Sequence, residues 1–353
     1  MVSERFGEAG RRCPVQFRGL DMRKLLITVI SAGVMCSPVD VGAWGLTAHR
    51  AISRAAVRAL PSDFPPFLAR QIDWIGERSI TPDSWRSASE PFSKIEEDPN
   101  HGWFMEQFAF MHPIPRSRYE FVVGLHNEYL RVLPTDPARA SLTNVRWTGT
   151  LPYAAVETYE RLKVAFRSWR ELQRTGADPT FIELDAAFYT GWLSHYIADG
   201  AMPLHTSIHH DGWQGANPRG YTTDPSIHSR FETTFVDRMA LSESDIIPRV
   251  AQVRRLDDPF AAILAHLDRS HTRVERVYQL DRSDAYADAH NDEARTLVLS
   301  CTTDAATLLR DLIYSAWVTS GTPVVQAPGT LQPMNPRHPH NARRLTWLGR
   351  ASS

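Results

Sequence analysis

The sequence predicts an all-α protein built as a single multi-helix domain. Three observations predict it: long stretches with apolar residues at helical spacing or rich in helix formers, very few alternating strand patterns, and Pro-, Gly- and Asn-rich segments that punctuate them. The 353 residues suffice for one large domain or two small ones, and no internal repeat or convincing linker divides them. With 39 Lys and Arg against 40 Asp and Glu, the chain lacks the basic excess that tight duplex DNA binding needs. A small phosphodiester or a short single strand stays open as a partner.

In chain order, the first element is a targeting signal. Met22-Arg23-Lys24 followed by LLITVISAGVMC reads as a charged region and a short apolar region, too short to span a bilayer comfortably. Val41-Gly42-Ala43 fits a small-residue cleavage site, so Trp44 is the expected first residue of the mature chain and 1–43 its leader, with translation expected to start at Met22. The expected location is therefore secreted or periplasmic, with no transmembrane anchor after cleavage. Helices follow at AHRAISRAAVRAL (48–60), AAVETYERLKVAFRSWREL (154–172), ELDAAFYTGWLSHYIADG (183–200), HSRFETTFVDRMAL (228–241) and DEARTLVLSCTTDAATLLRDLIYSAW (292–317). Loops fall at 61–67, 112–118 and 209–226 through their Pro, Gly, Asn and Asp content. From Pro323 the Pro-rich, polar tail is expected to pack poorly, which bounds the domain at 44–322 and the tail at 323–353. Cys13 and Cys36 would leave with the leader, so Cys301 remains alone and no intramolecular disulfide is possible. It sits in an apolar helical run and reads as a core residue rather than a nucleophile.

The segment from His195 to Glu232 carries the chemistry. His195 and Asp199 form HxxxD, and His228 and Glu232 form HxxxE; positions i and i+4 share one face of a helix, so each pair can reach a common ion. Pro203 is expected to interrupt the first helix, sending His205 out at a different angle toward a neighbouring ion. Imidazoles with carboxylates suit zinc, whereas calcium and magnesium want oxygen almost throughout; manganese and iron stay open on ligand type alone. One such pair on a helix is more often a solvated hydrogen-bonded pair. Two pairs close together, the first in an otherwise apolar helix with Phe188, Trp192, Leu193 and Ile197, favour a metal cluster, because partly buried charge needs a partner.

With Trp44, His49 in WGLTAHR, Asp83 in TPDSW and His101 in DPNHGW added to HxxxDxxxxxH and HxxxE, the chain resembles the zinc-dependent phospholipase C and single-strand-specific nuclease superfamily. The resemblance implies three zinc ions: Asp83, His101, His195 and Asp199 around the first, His205, His228 and Glu232 around the second, and His49, the bridging Asp199 and the free amine and carbonyl of Trp44 around the third. Signal cleavage would then be an activation step, because an amide nitrogen is a poor ligand compared with a neutral amine. Asp83 is the implied catalytic base, while the histidines are less suited because their basic nitrogens would hold metal. In such a protein, metal can take over part of the stabilising role of disulfides.

Signals for the substrate conflict. The HSRFETTFV segment with Glu232 looks like the phospholipase branch, whereas the long separation between His205 and His228 resembles the nuclease branch. The intervening HHDGWQGANPRGYTTDP lacks the paired-glycine-plus-Asn pattern of the latter. Trp213 and Tyr221 there either stack on a base or contact lipid, or only pack locally. His209, His210 and Asp211 read as solvated loop positions. The expectation is a phosphodiesterase of phospholipase C type acting on phospholipid. A single-strand nuclease or nucleotidase is the alternative enzyme, and a noncatalytic zinc-stabilised binding protein the alternative of another class.

Overall fold

The structure is a computed structural model and describes residues 44–322. The leader, its cleavage site, the start at Met22 and the tail at 323–353 lie outside the described residues.

Helix α1 (Leu46–Arg58) opens the fold, followed by α2 (Ile72–Arg78), α3 (Pro91–Glu97), α4 (Arg118–Val132), α5 (Leu151–Thr175) and α6 (Thr180–Ala201). Then come α7 (227–238), α8 (Pro259–His271), α9 (Val274–Arg282) and α10 (Asp292–Ser320), with single turns between several of them. No strand forms among the described residues, and the protein is all-α.

Helix α6 is the axis. Every residue from Leu193 to Ala201 is buried, so this half of the helix is enclosed on all sides rather than on one stripe. It packs against α5, α10, α1, α2 and α8. Gly191 permits a close approach to α2: a Cβ there would lie 2.6 Å from Arg78 Cβ and 2.9 Å from the Ile75 carbonyl. Flanking helices are delimited by local chemistry. Pro152 stands in the first turn of α5 and Gly176, at φ 71°, closes it in the left-handed conformation; Asn291 caps α10 by accepting from the Ala294 amide. Aromatic rings fill the space around the axis, with Phe64, Phe67, Phe166, Trp169 and Trp317 in one group and Trp103, Phe108, Phe121 and Tyr153 in another.

The expected helices are present with slightly shifted ends. Helices α2, α3, α4, α8 and α9 were not anticipated; for α4 the composition explains why: Phe121, Leu125 and Val132 face inward while Tyr119, Val123 and Leu130 are exposed, so apolar residues occupy both faces and blur the period. Cys301 is fully buried beside Arg273, and burial pushes its thiol up to about 12, as suits a core residue. No described helix is long and apolar enough to cross a membrane.

Candidate metal centre

The side chains of the site come from separate elements that meet at the buried half of α6. His49 projects from α1; Asp83 sits in the single turn Thr81–Ser84; His101 ends the 3₁₀ turn Asp98–His101 that extends α3. His195 and Asp199 stand one helical turn apart on α6. The helix ends at Ala201, Met202 is extended, and the 3₁₀ turn Pro203–Thr206 carries His205, as the proline predicts. On α7, His228 precedes a π-helical widening, Arg230–Phe235, that contains Glu232. Such widenings are rare and often mark functional sites.

Three groups result, each with ligand atoms within 4.8 Å of one another: His49, His195 and Asp199; Asp83, His101 and His195; and His205, His228 and Glu232. Each could hold a metal ion. Asp199 joins them. Its Oδ1 lies 3.4 Å from His49 Nε2, and its Oδ2 lies 2.9 Å from His101 Nδ1, 3.4 Å from His195 Nε2 and 3.8 Å from His205 Nδ1. Asp83 Oδ1 is 3.7 Å from His101 Nδ1 and 3.8 Å from His195 Nε2. In the third group His228 Nε2 lies 3.1 Å from both His205 Nε2 and Glu232 Oε2, and His205 Nε2 is 3.8 Å from the same carboxylate oxygen.

The outer nitrogens show which atoms face inward. His195 Nδ1 donates to the Ser79 carbonyl at 2.8 Å, and His228 Nδ1 faces the His210 carbonyl and Asp211 Oδ1, both at 3.0 Å. With Nδ1 carrying the proton, the neutral ring turns its Nε2 lone pair into the cluster. Lone pairs and carboxylate oxygens therefore converge on one another, and Asp83 Oδ1, Asp199 Oδ1 and both Glu232 oxygens are buried without a hydrogen bond. Buried acceptors gathered in this way are costly unless a cation sits among them. The donor set, mixed nitrogen and oxygen with outer partners fixing the imidazoles, fits a divalent metal.

Without a metal, the neighbouring carboxylates keep the His195 and His228 rings protonated at neutral pH, so a bound ion would take the place of the second proton. Burial disfavours charge on His195 and His228, yet Asp199 and Asp83 push the first up to about 9, and Glu232 and Asp211 push the second up to about 10. Glu232 is pushed up to about 6 by burial, against the pull of His228, while Asp199 is held well below the usual carboxylate range because His195 and His205 outweigh its burial. The cluster attracts positive charge.

Trp44 is buried, its ring 5.6 Å from Phe231, and the amide of Gly45 donates to the Glu232 carbonyl at 3.3 Å. The side of the cluster formed by α7 is thus tied to the start of the described chain. Ligation by a free Trp44 amine depends on cleavage before it, which lies outside the described residues.

Two loop readings change. His210 and Asp211 are not merely solvated, since both hold His228 Nδ1, and the His210 ring stacks on Phe104 at 4.6 Å. Tyr221 is buried, donates to Glu275 at 2.8 Å and touches Trp213 and Tyr278, while Trp213 stacks on His209 at 3.9 Å. Local packing accounts for both aromatics.

Other contributors carried no motif. Arg86 reaches Asp83 Oδ1 at 3.5 Å and Asp98 Oδ1 at 3.1 Å; Glu97 Oε1 lies 3.3 Å from His101 Nε2. The i,i+3 and i,i+4 spacings to Asp83 and His101 were the only available signal. No protein-family model matches the sequence, and no curated protein matches it.

Proposed function

We propose that this protein is a zinc-dependent phosphoric ester hydrolase of the phospholipase C and single-strand nuclease superfamily, acting on phospholipid. The observation that carries the reading is the convergence of eight side chains, all from the sequence-defined set, into three groups joined by Asp199. His49, Asp83, His101, His195, Asp199, His205, His228 and Glu232 would hold the ions. When bound, clustered zinc supplies Lewis acidity toward a phosphoryl oxygen and makes water a better nucleophile at neutral pH.

The chain's own residues supply the rest. Asp83 is more exposed than the other carboxylates of the groups, with 17 % of its side chain accessible against none for Asp199 and Glu232. It can meet a substrate and accept a proton from an attacking water. Arg86, anchored on Asp98, orients it. His195 and His228, fixed through their outer nitrogens, hold their orientation, so the constellation is built before substrate arrives. Trp213 and Tyr221 pack locally and favour neither substrate, so the preference for lipid rests on the HSRFETTFV segment with Glu232.

The test is a paired assay on zinc-loaded protein: headgroup release from phosphatidylcholine against nucleotide release from single-stranded DNA and RNA, each with a chelated control and with Asp83→Asn. Chelation-sensitive headgroup release lost in Asp83→Asn is expected. Nucleotide release instead would transfer the same centre to the nuclease reading, and retained zinc with no turnover of either would leave a zinc-stabilised binding protein.

A further inference from the structure

Resting on the metal-centre reading, we infer that Glu97 is a positioning residue that holds the His101 ring with Nδ1 toward the ions and Nε2 turned away. His101 Nδ1 is the inward atom, 2.9 Å from Asp199 Oδ2 and 3.0 Å from His195 Nε2. Its Nε2 lies 3.3 Å from Glu97 Oε1, within ion-pair distance although the two make no hydrogen bond in this structure. Glu97 is buried, and among the described residues no Lys or Arg forms an ion pair with it; His101 is the one such partner it has. A buried carboxylate without a cation is expensive, and a ring polarised by an ion on its far nitrogen provides the missing positive charge. A carboxylate behind a metal-bound imidazole is the arrangement that fixes tautomer and raises ligand basicity.

The support behind Glu97 is built to hold it there. Tyr196, adjacent to His195 on α6, donates to Glu97 Oε1 at 2.7 Å, and its own oxygen accepts from the Trp192 indole at 2.8 Å. Asn100 donates to Glu97 Oε2 at 3.1 Å, while its carbonyl oxygen takes bonds from Arg118 at 3.0 Å and Thr150 at 2.9 Å. One carboxylate oxygen is thereby oriented by Tyr196 on α6, which also carries two of the inward-facing side chains, and the other by Asn100, itself held by Arg118 of α4 and by Thr150 just before α5. Nothing in the sequence motif marks Glu97, which lies four residues before His101 at the junction of α3 and the 3₁₀ turn.

Two readouts on folded, full-length protein test the inference: zinc titration against a competing chelator, and nitrogen-15 NMR of the His101 ring. Glu97→Gln, which keeps size and the Tyr196 acceptor, is expected to weaken one class of zinc site about 10- to 100-fold and to shift the His101 Nε2–H signal, with Glu97→Asp recovering part of both. Tyr196→Phe keeps the carboxylate and is expected to cost less affinity than Glu97→Gln. Wild-type affinity and an unchanged His101 signal in Glu97→Gln would overturn the inference, as would equal losses in Tyr196→Phe and Glu97→Gln. Absence of zinc binding by the wild type would instead overturn the metal-centre reading beneath it.

Discussion

Asp199 is fully buried and touches four histidines with its two oxygens, so one side chain links all three groups. Removing it leaves His195 in the interior without its main counter-charge. Asp199→Ala is therefore expected to destabilise the metal-free protein by about 3–5 kcal/mol in urea unfolding, and to lower the number of ions bound in elemental analysis. His266 offers a residue-scale test away from the ligands. It is buried and faces the Ile197 carbonyl at 3.1 Å, and burial pushes it down to about 4 despite that bond. The unfolded chain takes up this proton near pH 6.5 and the folded chain only near 4. Its contribution to stability is thus complete above about 6.5 and is lost as pH falls toward 4, by about 3 kcal/mol in all. Urea unfolding at stepped pH should show that slope flattened in His266→Gln. At this scale the sequence was most legible where spacing does the work: His195 with Asp199 and His228 with Glu232 are one turn apart wherever the backbone is helical. Glu97 and Asp211 were opaque because each acts on a histidine whose orientation only the tertiary fold sets.

Among elements, the turn that carries His101 depends on a glycine elsewhere. Gly149 adopts φ 82°, and a Cβ there would fall onto the Gly102 carbonyl. The two segments are laced by Phe104 N to Thr148 O at 2.8 Å and Thr150 N to Pro99 O at 2.6 Å, so a side chain at 149 displaces the His101 turn itself. Gly176, at φ 71° with nothing within 4 Å of the place a Cβ would take, isolates the backbone cost alone. Gly176→Ala should lose about 1–2 kcal/mol and leave zinc affinity intact. Gly149→Ala should lose more and weaken zinc binding, and equal behaviour of the two variants would contradict this account. Five of the helices were readable in advance, whereas α8 and α9 were not, although each buries a stripe at helical spacing. The π-helical widening in α7 was not, because it changes hydrogen-bond register without changing the residue types that favour a helix.

For the whole molecule, the site lies where α1, α6 and α7 and the turns around Asp83, His101 and His205 meet, so an ion there ties together segments distant in sequence. Cys301 is a buried free thiol, and no disulfide shares that task among the described residues. Zinc at about a hundred times its dissociation constant should add about 2.7 kcal/mol per independent site, raising the melting temperature, and chelation should reverse it. An unchanged melting temperature would mean that the described fold does not depend on the groups being filled. The all-α class was legible from periodicity and from missing strand patterns, while the enclosure of α6 by its neighbours was not, since an apolar helix does not say what surrounds it. The most direct test of the central claim is anomalous X-ray diffraction at the zinc edge from crystals of the zinc-loaded protein. The account predicts anomalous peaks within the groups around Asp83, around Glu232 and between His49 and Asp199; zinc-loaded crystals with no peak at any of these positions would contradict it.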